Sequence, residues 1–164
     1  MLSKVKKYLD KTLEALVTVS MGVLVADVVW QVFTRYVLKN PSSWTEELAT
    51  FLMIWVGLLG SSVALNRGAH LGIDYLVTKL SPRKSLCVAL FVFAVVTAFS
   101  LFVMVVGGSQ LVYRTLVTKQ VSPALGLKMG YVYLAIPISG FFLVVYSIEL
   151  FIETLKKFFK PDGL

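Results

Sequence analysis

Residues 40–74 read "NPSSWTEELATFLMIWVGLLGSSVALNRGAHLGID", and the fold turns on how this stretch is read. It opens on a turn of Asn40, Pro41, Ser42 and Ser43, and two adjacent carboxylates, Glu46 and Glu47, follow at the head of an apolar run. It closes on a short polar segment that holds the chain's single histidine, His70. The apolar run, from about residue 44 to about residue 65, has the length of a membrane-spanning helix, which needs roughly 20 mostly apolar residues. Pro41 and the serines break the preceding element. Glu46 and Glu47 then fall in the first turn, where unpaired backbone N–H groups and the helix dipole favour negative charge.

Composition extends this reading to the whole chain. Of its 164 residues, 57% are hydrophobic and only 15% are charged, with a mean hydropathy of +0.81. A soluble domain carries roughly 25% charged residues, so the chain reads as an all-α integral membrane protein. Cys87 is the only cysteine and lies in an apolar run, which leaves no internal disulfide, no multi-cysteine metal site and no dithiol redox pair. A single histidine argues against a haem bundle. The net charge of +7 arises from cations placed between apolar runs, with no basic and aromatic residues interleaved in a solvated segment, so no nucleic-acid partner is expected.

Four spans are expected, at about residues 13–38, 44–65, 85–118 and 129–158. The first two form a tight hairpin through "KNPSS". The third is longer than an upright crossing needs, so a tilt or a bend is expected, with Gly107 and Gly108 as its place. Pro137 and Gly140 mark a kink in the fourth. The N-terminal "MLSKVKKYLDK" lacks a cleavage site after its apolar run and is not read as a signal peptide. Its Leu2, Val5, Leu9 and Leu13 share one stripe, as in a helix that skims the interface before entering the bilayer.

Between spans two and three, "RGAHLGIDYLVTKLSP" is too short and too polar to cross. Ile73, Leu76, Val77 and Leu80 follow the spacing of one helical face, beside a polar stripe of His70, Asp74 and Thr78. The pattern predicts an amphipathic arm helix over about residues 70–80, lying flat at the membrane surface. With the N-terminus in the cytoplasm, eleven of the Lys and Arg residues fall on that side and five on the other, which favours cytoplasmic termini.

Several residues invite a functional reading. Asp27, Gln31 and Arg35 recur every four residues along the first span, and Asp27 is near its middle, where ionisable groups are costly. Asp27 is either a proton or cation site or, the favoured reading, a carboxylate bonded to Gln31 or to a neighbouring helix. Ser43 and Glu46 match a capping box. Consecutive helix residues point about 100° apart, so Glu46 and Glu47 suit a cap better than an acid–base pair. An ion pair from Arg35 to Glu47 or Glu46, closing the hairpin, is expected. Gly57 with Ser61, and Gly60 with Ala64, form small-xxx-small pairs that admit a close helix. Trp44 and Tyr131 suit interfacial anchors. Gly68 and Arg67 fit the exit of span two, with Arg67 favourable near lipid phosphates. His70 and Asp74 lack the further ligands a metal needs. No catalytic set, cofactor or metal is expected.

The order of Arg35, Trp44, Glu46, Glu47, Gly68, His70 and Asp74 within this pattern resembles the small membrane subunit of tripartite ATP-independent periplasmic (TRAP) transporters, the DctQ family. The resemblance implies a three-part importer of organic acids such as C4-dicarboxylates or sialic acid. A periplasmic substrate-binding protein captures the acid, a large sodium-coupled membrane subunit moves it as an elevator, and the small subunit scaffolds the large one in the bacterial inner membrane. The residues agree on the last point, since the chain shows neither an inverted repeat nor a clear pair of broken helices with facing ends. Residues 39–43 and 119–128 are then placed where a binding protein would dock. The alternative reading is a stand-alone four-helix exporter that exchanges protons through Asp27.

Overall fold

The computed structural model describes residues 2–40, 42–67 and 81–159, with the side chains of residues 2–7 and of Pro82 outside that description. The described residues form six α-helices, in order: α1 (Leu2–Tyr36), α2 (Ser43–Asn66), α3 (Pro82–Phe99), α4 (Gly108–Val117), α5 (Met129–Tyr133) and α6 (Ala135–Phe159). An eight-residue π-helix, Ser100–Gly107, joins α3 to α4 without a break. They give four helical stretches long and apolar enough to cross a membrane: Tyr8–Tyr36, Ser43–Asn66, Arg83–Val117 and Met129–Phe159. The arm expected over residues 70–80, with Gly68, His70 and Asp74, lies outside the described residues.

Helix α1 is longer than the expected span. It is one unbroken helix of 35 residues, about 52 Å long at 1.5 Å per residue, that carries the basic start and the apolar body together. No glycine or proline precedes Gly22, so nothing in the sequence interrupts the hydrogen-bond ladder there. The hydrocarbon core is about 30 Å thick, so the helix must tilt or project beyond it. Among the described helices, its backbone approaches α2 alone. Leu13, Val17, Ser20, Leu24, Asp27, Gln31 and Thr34 make its continuous buried or half-buried stripe. Their alternating four- and three-residue steps average the heptad spacing of a left-handed helix pair.

The core sits at one end of the bundle. Leu13 of α1, Leu59 and Leu65 of α2 and Tyr146 of α6 are fully buried together, with Trp55, Phe93, Val96 and Phe142 packed around them. Two polar links cross between helices inside the spans: Ser62 Oγ donates to the Ser139 carbonyl at 3.2 Å, and Thr97 Oγ1 donates to Ser147 Oγ at 2.8 Å. Such bonds hold membrane helices together where water is absent.

The third and fourth spans pack through glycines. A Cβ on Gly140 would come within 2.7 Å of Met104 Cβ, and one on Gly108 within 2.8 Å of the Ile136 side chain. Both expected irregularities have a structural counterpart. The π turns run up to Gly107, and the fourth span is interrupted at Leu134. Pro137 has no N–H to offer the carbonyl four residues back, that of Tyr133, so the interruption falls one turn before it.

Candidate functional site

The loop end of the bundle carries the hairpin turn, residues 37–42, and the connection between spans three and four, residues 118–128. Both helices that enter it are reversed by a lysine in the left-handed region, Lys39 with φ 54° and Lys119 with φ 52°. The Asn40 N–H then reaches back to the Thr34 carbonyl at 3.2 Å, and the Gln120 N–H to that of Thr115 at 3.1 Å. These wrapped bonds satisfy carbonyls that a helix end leaves unpaired.

The connection beyond Lys119 is compact. Val121 and Lys128 face each other in an isolated antiparallel bridge, the Met129 N–H donates to the Gln120 carbonyl at 2.9 Å, and the Ser122 N–H donates to the Leu127 carbonyl at 2.8 Å. Ser122 is buried, and its hydroxyl accepts the Leu127 N–H at 3.2 Å. Gly126, with φ 64°, makes the turn at the tip.

Glu47 fastens this tip to α2. Its Oε2 accepts the N–H of Leu125 at 2.7 Å and that of Ala124 at 3.1 Å. Two consecutive amides aimed at one carboxylate oxygen make a small anion nest, and both bonds gain from the acceptor's charge. A shallow depression of about 420 Å³ opens beside the contact, lined by Ser43, Glu46, Glu47, Thr50, Pro123 and Ala124. This depression is open and small in depth, a surface feature of the loop end and not an enclosed substrate cavity.

This geometry corrects two expectations. Arg35 and the two glutamates form no ion pair in the described residues, because Glu47 is turned to the loop amides and Arg35 stays exposed. The capping box does not form either. Ser42, one residue earlier than expected, is the N-cap; its hydroxyl is 2.7 Å from that of Thr45, and its carbonyl accepts the Thr45 hydroxyl at 2.8 Å. Glu46 lies exposed in the first turn, and Trp44 is exposed beside it.

Asp27 is buried on the face of α1 turned to α2, and its Oδ2 has no hydrogen-bond partner. No bond to Gln31, which is half-buried one turn away, is made by that oxygen. Gly57 and Ser61 sit on an exposed face of α2 where nothing lies within 4 Å of a Cβ built on Gly57, so the small-residue face is uncovered in this chain.

The opposite end is closed by contacts that residue patterns did not reveal. Arg67 Nη2 and Nε donate to Glu14 Oε1 at 2.8 and 3.2 Å, tying the end of α2 to the start of α1. Arg67 therefore has a protein partner as well as the lipid surface expected for it. The Tyr146 hydroxyl donates to Asp10 Oδ1 at 2.6 Å, joining α6 to α1. Among the described residues, no group of three or more His, Cys, Asp or Glu side chains is placed to hold a metal ion.

Four apolar crossings, a polar tie at each end and an open loop face define a multi-pass membrane protein with a helical body and a braced extramembrane rim. The particular family follows from comparison: residues 24–157 match the family model described as tripartite ATP-independent periplasmic transporters, DctQ component, and the chain belongs to that family. It is a TRAP transporter small permease subunit. It is 28% identical over 154 residues to the sialic acid TRAP transporter small permease protein SiaQ of Vibrio cholerae, covering 93% of this chain and 87% of that one. It is 32% identical over 99 residues to the C4-dicarboxylate TRAP transporter small permease protein DctQ of Rhodobacter capsulatus, covering 59% and 42%. It is also 39% identical over 83 residues to the sialic acid TRAP transporter permease protein SiaT of Haemophilus influenzae, covering 51% of this chain and 12% of that one. Family membership replaces the stand-alone exporter reading of Asp27, and these relatives are transporter permeases, not enzymes.

Proposed function

We propose that this subunit is the static membrane scaffold of a sodium-coupled importer of an organic acid, working with a large elevator subunit and a periplasmic substrate-binding protein. The carrying observation is how little of its apolar surface the chain covers by itself. Only 6% of the most apolar window of Tyr8–Tyr36, and the same share for Arg83–Val117, is buried. Lipid tails cover such surface as readily as a protein does, so a membrane partner gains there by close packing and polar links and not by removal of area from water. The match to a stretch that makes up 12% of the SiaT permease supports a partner of this kind, since a segment like this chain occurs there within a larger polypeptide.

In this reading both termini face the cytoplasm and the chain lies in the inner membrane, which the cation count supports. The loop end then faces the periplasm, with residues 39–43 and 119–128 on the side from which a binding protein approaches. The relatives' names give sialic acid and C4-dicarboxylates, which supports a carboxylate as the substrate class here. The residues singled out take structural parts: Trp44 anchors the interface, Glu46 and Glu47 support the loop end, Arg35 remains available at that rim, and Gly57 with Ser61 presents a close-approach face to the large subunit. Asp27 and Gln31 belong to the hairpin seam.

Co-expression with the adjacent large permease and affinity capture through this chain tests the assembly. A stoichiometric complex supports the reading. Capture of this chain with none of the co-expressed large permease contradicts it.

A further inference from the structure

The third and fourth spans carry irregular helix on both sides of one compact unit, and neither the scaffold reading nor the resemblance uses that fact. Residues 108–134, comprising α4, the 118–128 connection, α5 and Leu134, begin where the π-helix ends and finish at the turn residue Leu134, three residues ahead of Pro137 and still bonded through its N–H to the Gly130 carbonyl at 3.2 Å. Internally the unit is tight. The place for a Cβ on Gly130 is filled by the Leu116 side chain at 2.5 Å, α4 and α5 are neighbours, and the connection is laced by the Gln120, Ser122 and Leu127 bonds.

Its links to the rest of the bundle are of three kinds. At the base, Gly108 lies against Ile136 and Pro137, and Gly140 lies against the Met104 side chain and the Val105 backbone, which pins the π turns to α6. On the flank, Leu127, Tyr131 and Val132 face Leu48, Phe51, Leu52 and Trp55 of α2 and Ser20 of α1 around an open apolar cleft of about 240 Å³, with Val132 and Phe51 themselves buried. At the tip, the polar tie is Glu47 Oε2 to the Ala124 and Leu125 amides.

We propose that residues 108–134 form a hinged cap on the loop end, pivoting at the π turns and at Leu134, with Glu47 as the latch that holds it against α2. Inserted π turns and proline breaks are the usual causes of helix bending, and hinges are a few element-terminal positions that absorb a change in φ and ψ. Ser100 Oγ, fully buried and unpartnered at the first π residue, marks a place where the third span leaves a polar group unsatisfied in this arrangement. With the latch of two amides and one carboxylate broken, the flank around Val132 and Phe51 opens to lipid tails and not to water, so the cap swings while α2, α3 and α6 stay packed.

Spin-label distances in the full-length chain in lipid nanodiscs test this, with Cys87→Ser as background. One label pair, Met53→Cys with Tyr113→Cys, crosses from α2 to the cap; a control pair, Met53→Cys with Ile152→Cys, stays within the body. All three positions are exposed. With Glu47 intact both pairs are expected to give one narrow distance. Glu47→Ala is expected to add a second population to the cross pair and leave the control unchanged. Deleting Val103, which shortens the π turns toward α geometry, is expected to remove that second population. A cross pair that stays narrow in Glu47→Ala, or control and cross pairs that broaden together, overturns the proposal. If Glu47→Ala does not fold, amide exchange of the unaltered protein decides: residues 108–134 opening as one block supports the cap, and protection that falls gradually from both spans toward the loop tip overturns it.

Discussion

Glu47 Oε2 stands 2.7 Å from the backbone N–H of Leu125, a contact 78 residues apart in the chain that binds the start of the second span to the tip of the last loop. A carboxylate that accepts two amides is worth more than a neutral bond, on the order of 1.5–3 kcal/mol for each charged partner before losses. Glu47→Gln keeps an acceptor oxygen but loses the charge, and Glu47→Ala loses both. The expected order of amide protection at residues 124–125 is wild type, then Gln, then Ala, by hydrogen exchange. Equal protection in all three variants contradicts the latch contact.

The Glu14 to Arg67 pair at the opposite end is 41% and 64% exposed, so water screens it. Exposed pairs contribute about 0–1 kcal/mol. Glu14→Gln and Arg67→Gln are each expected to lower the melting temperature by a small amount that vanishes in high salt. A large, salt-independent drop means that the pair is buried in the assembled protein.

Glycines separate two kinds of contact. Gly140→Val pushes a branched side chain into Met104, at a site where even a Cβ would stand 2.7 Å from it, and overpacking costs about 1–3 kcal/mol. Gly57→Val meets open space in the isolated chain. The first is expected to destabilise the subunit by itself. The second is expected to leave its melting temperature within a degree or two of wild type while reducing capture of the large subunit. Equal capture by both Gly57 forms removes that face from the partner surface.

Lys39 and Lys119 hold left-handed backbone that costs a non-glycine residue on the order of 1 kcal/mol. Lys119→Gly is expected to raise stability slightly in thermal melts of the purified subunit. A fall indicates that the lysine side chain has a stabilising contact larger than that backbone strain.

Asp27 gives the converse case. The buried Oδ2 of Asp27 has no hydrogen-bond partner, and an apolar side chain of similar size removes the cost of burying that polar group. Asp27→Leu is expected to preserve or raise the melting temperature and to leave uptake by the assembled transporter intact. Lost uptake with preserved stability assigns Asp27 a part beyond packing.

The membrane class, the four crossings and the two irregular spans were legible because each depends on local composition: long apolar runs, Pro41 at a turn, paired glycines and Pro137. The heptad stripe from Leu13 to Thr34 was also readable, and would have placed Asp27 in the seam with α2. Partner choice was not legible. Glu47 has Arg35 as an obvious charge nearby in sequence, yet two amides from a loop 77 and 78 residues away win, because backbone donors carry no residue signature. Arg67 with Glu14 and Tyr146 with Asp10 likewise depend on how the helices dock. The close approach at Gly108 and Gly130 had no motif spacing to announce it.

In the proposed role, this chain supports transport without carrying the substrate. Sodium-driven uptake of radiolabelled sialic acid, and of a C4-dicarboxylate in parallel, should be measured in proteoliposomes containing the partner large permease, with and without this subunit, and with the matching binding protein outside. Uptake of one of the two acids is expected only when both membrane subunits and the binding protein are present, and none from this subunit alone. Full uptake by the large permease without this chain, or uptake by this chain alone, would contradict it.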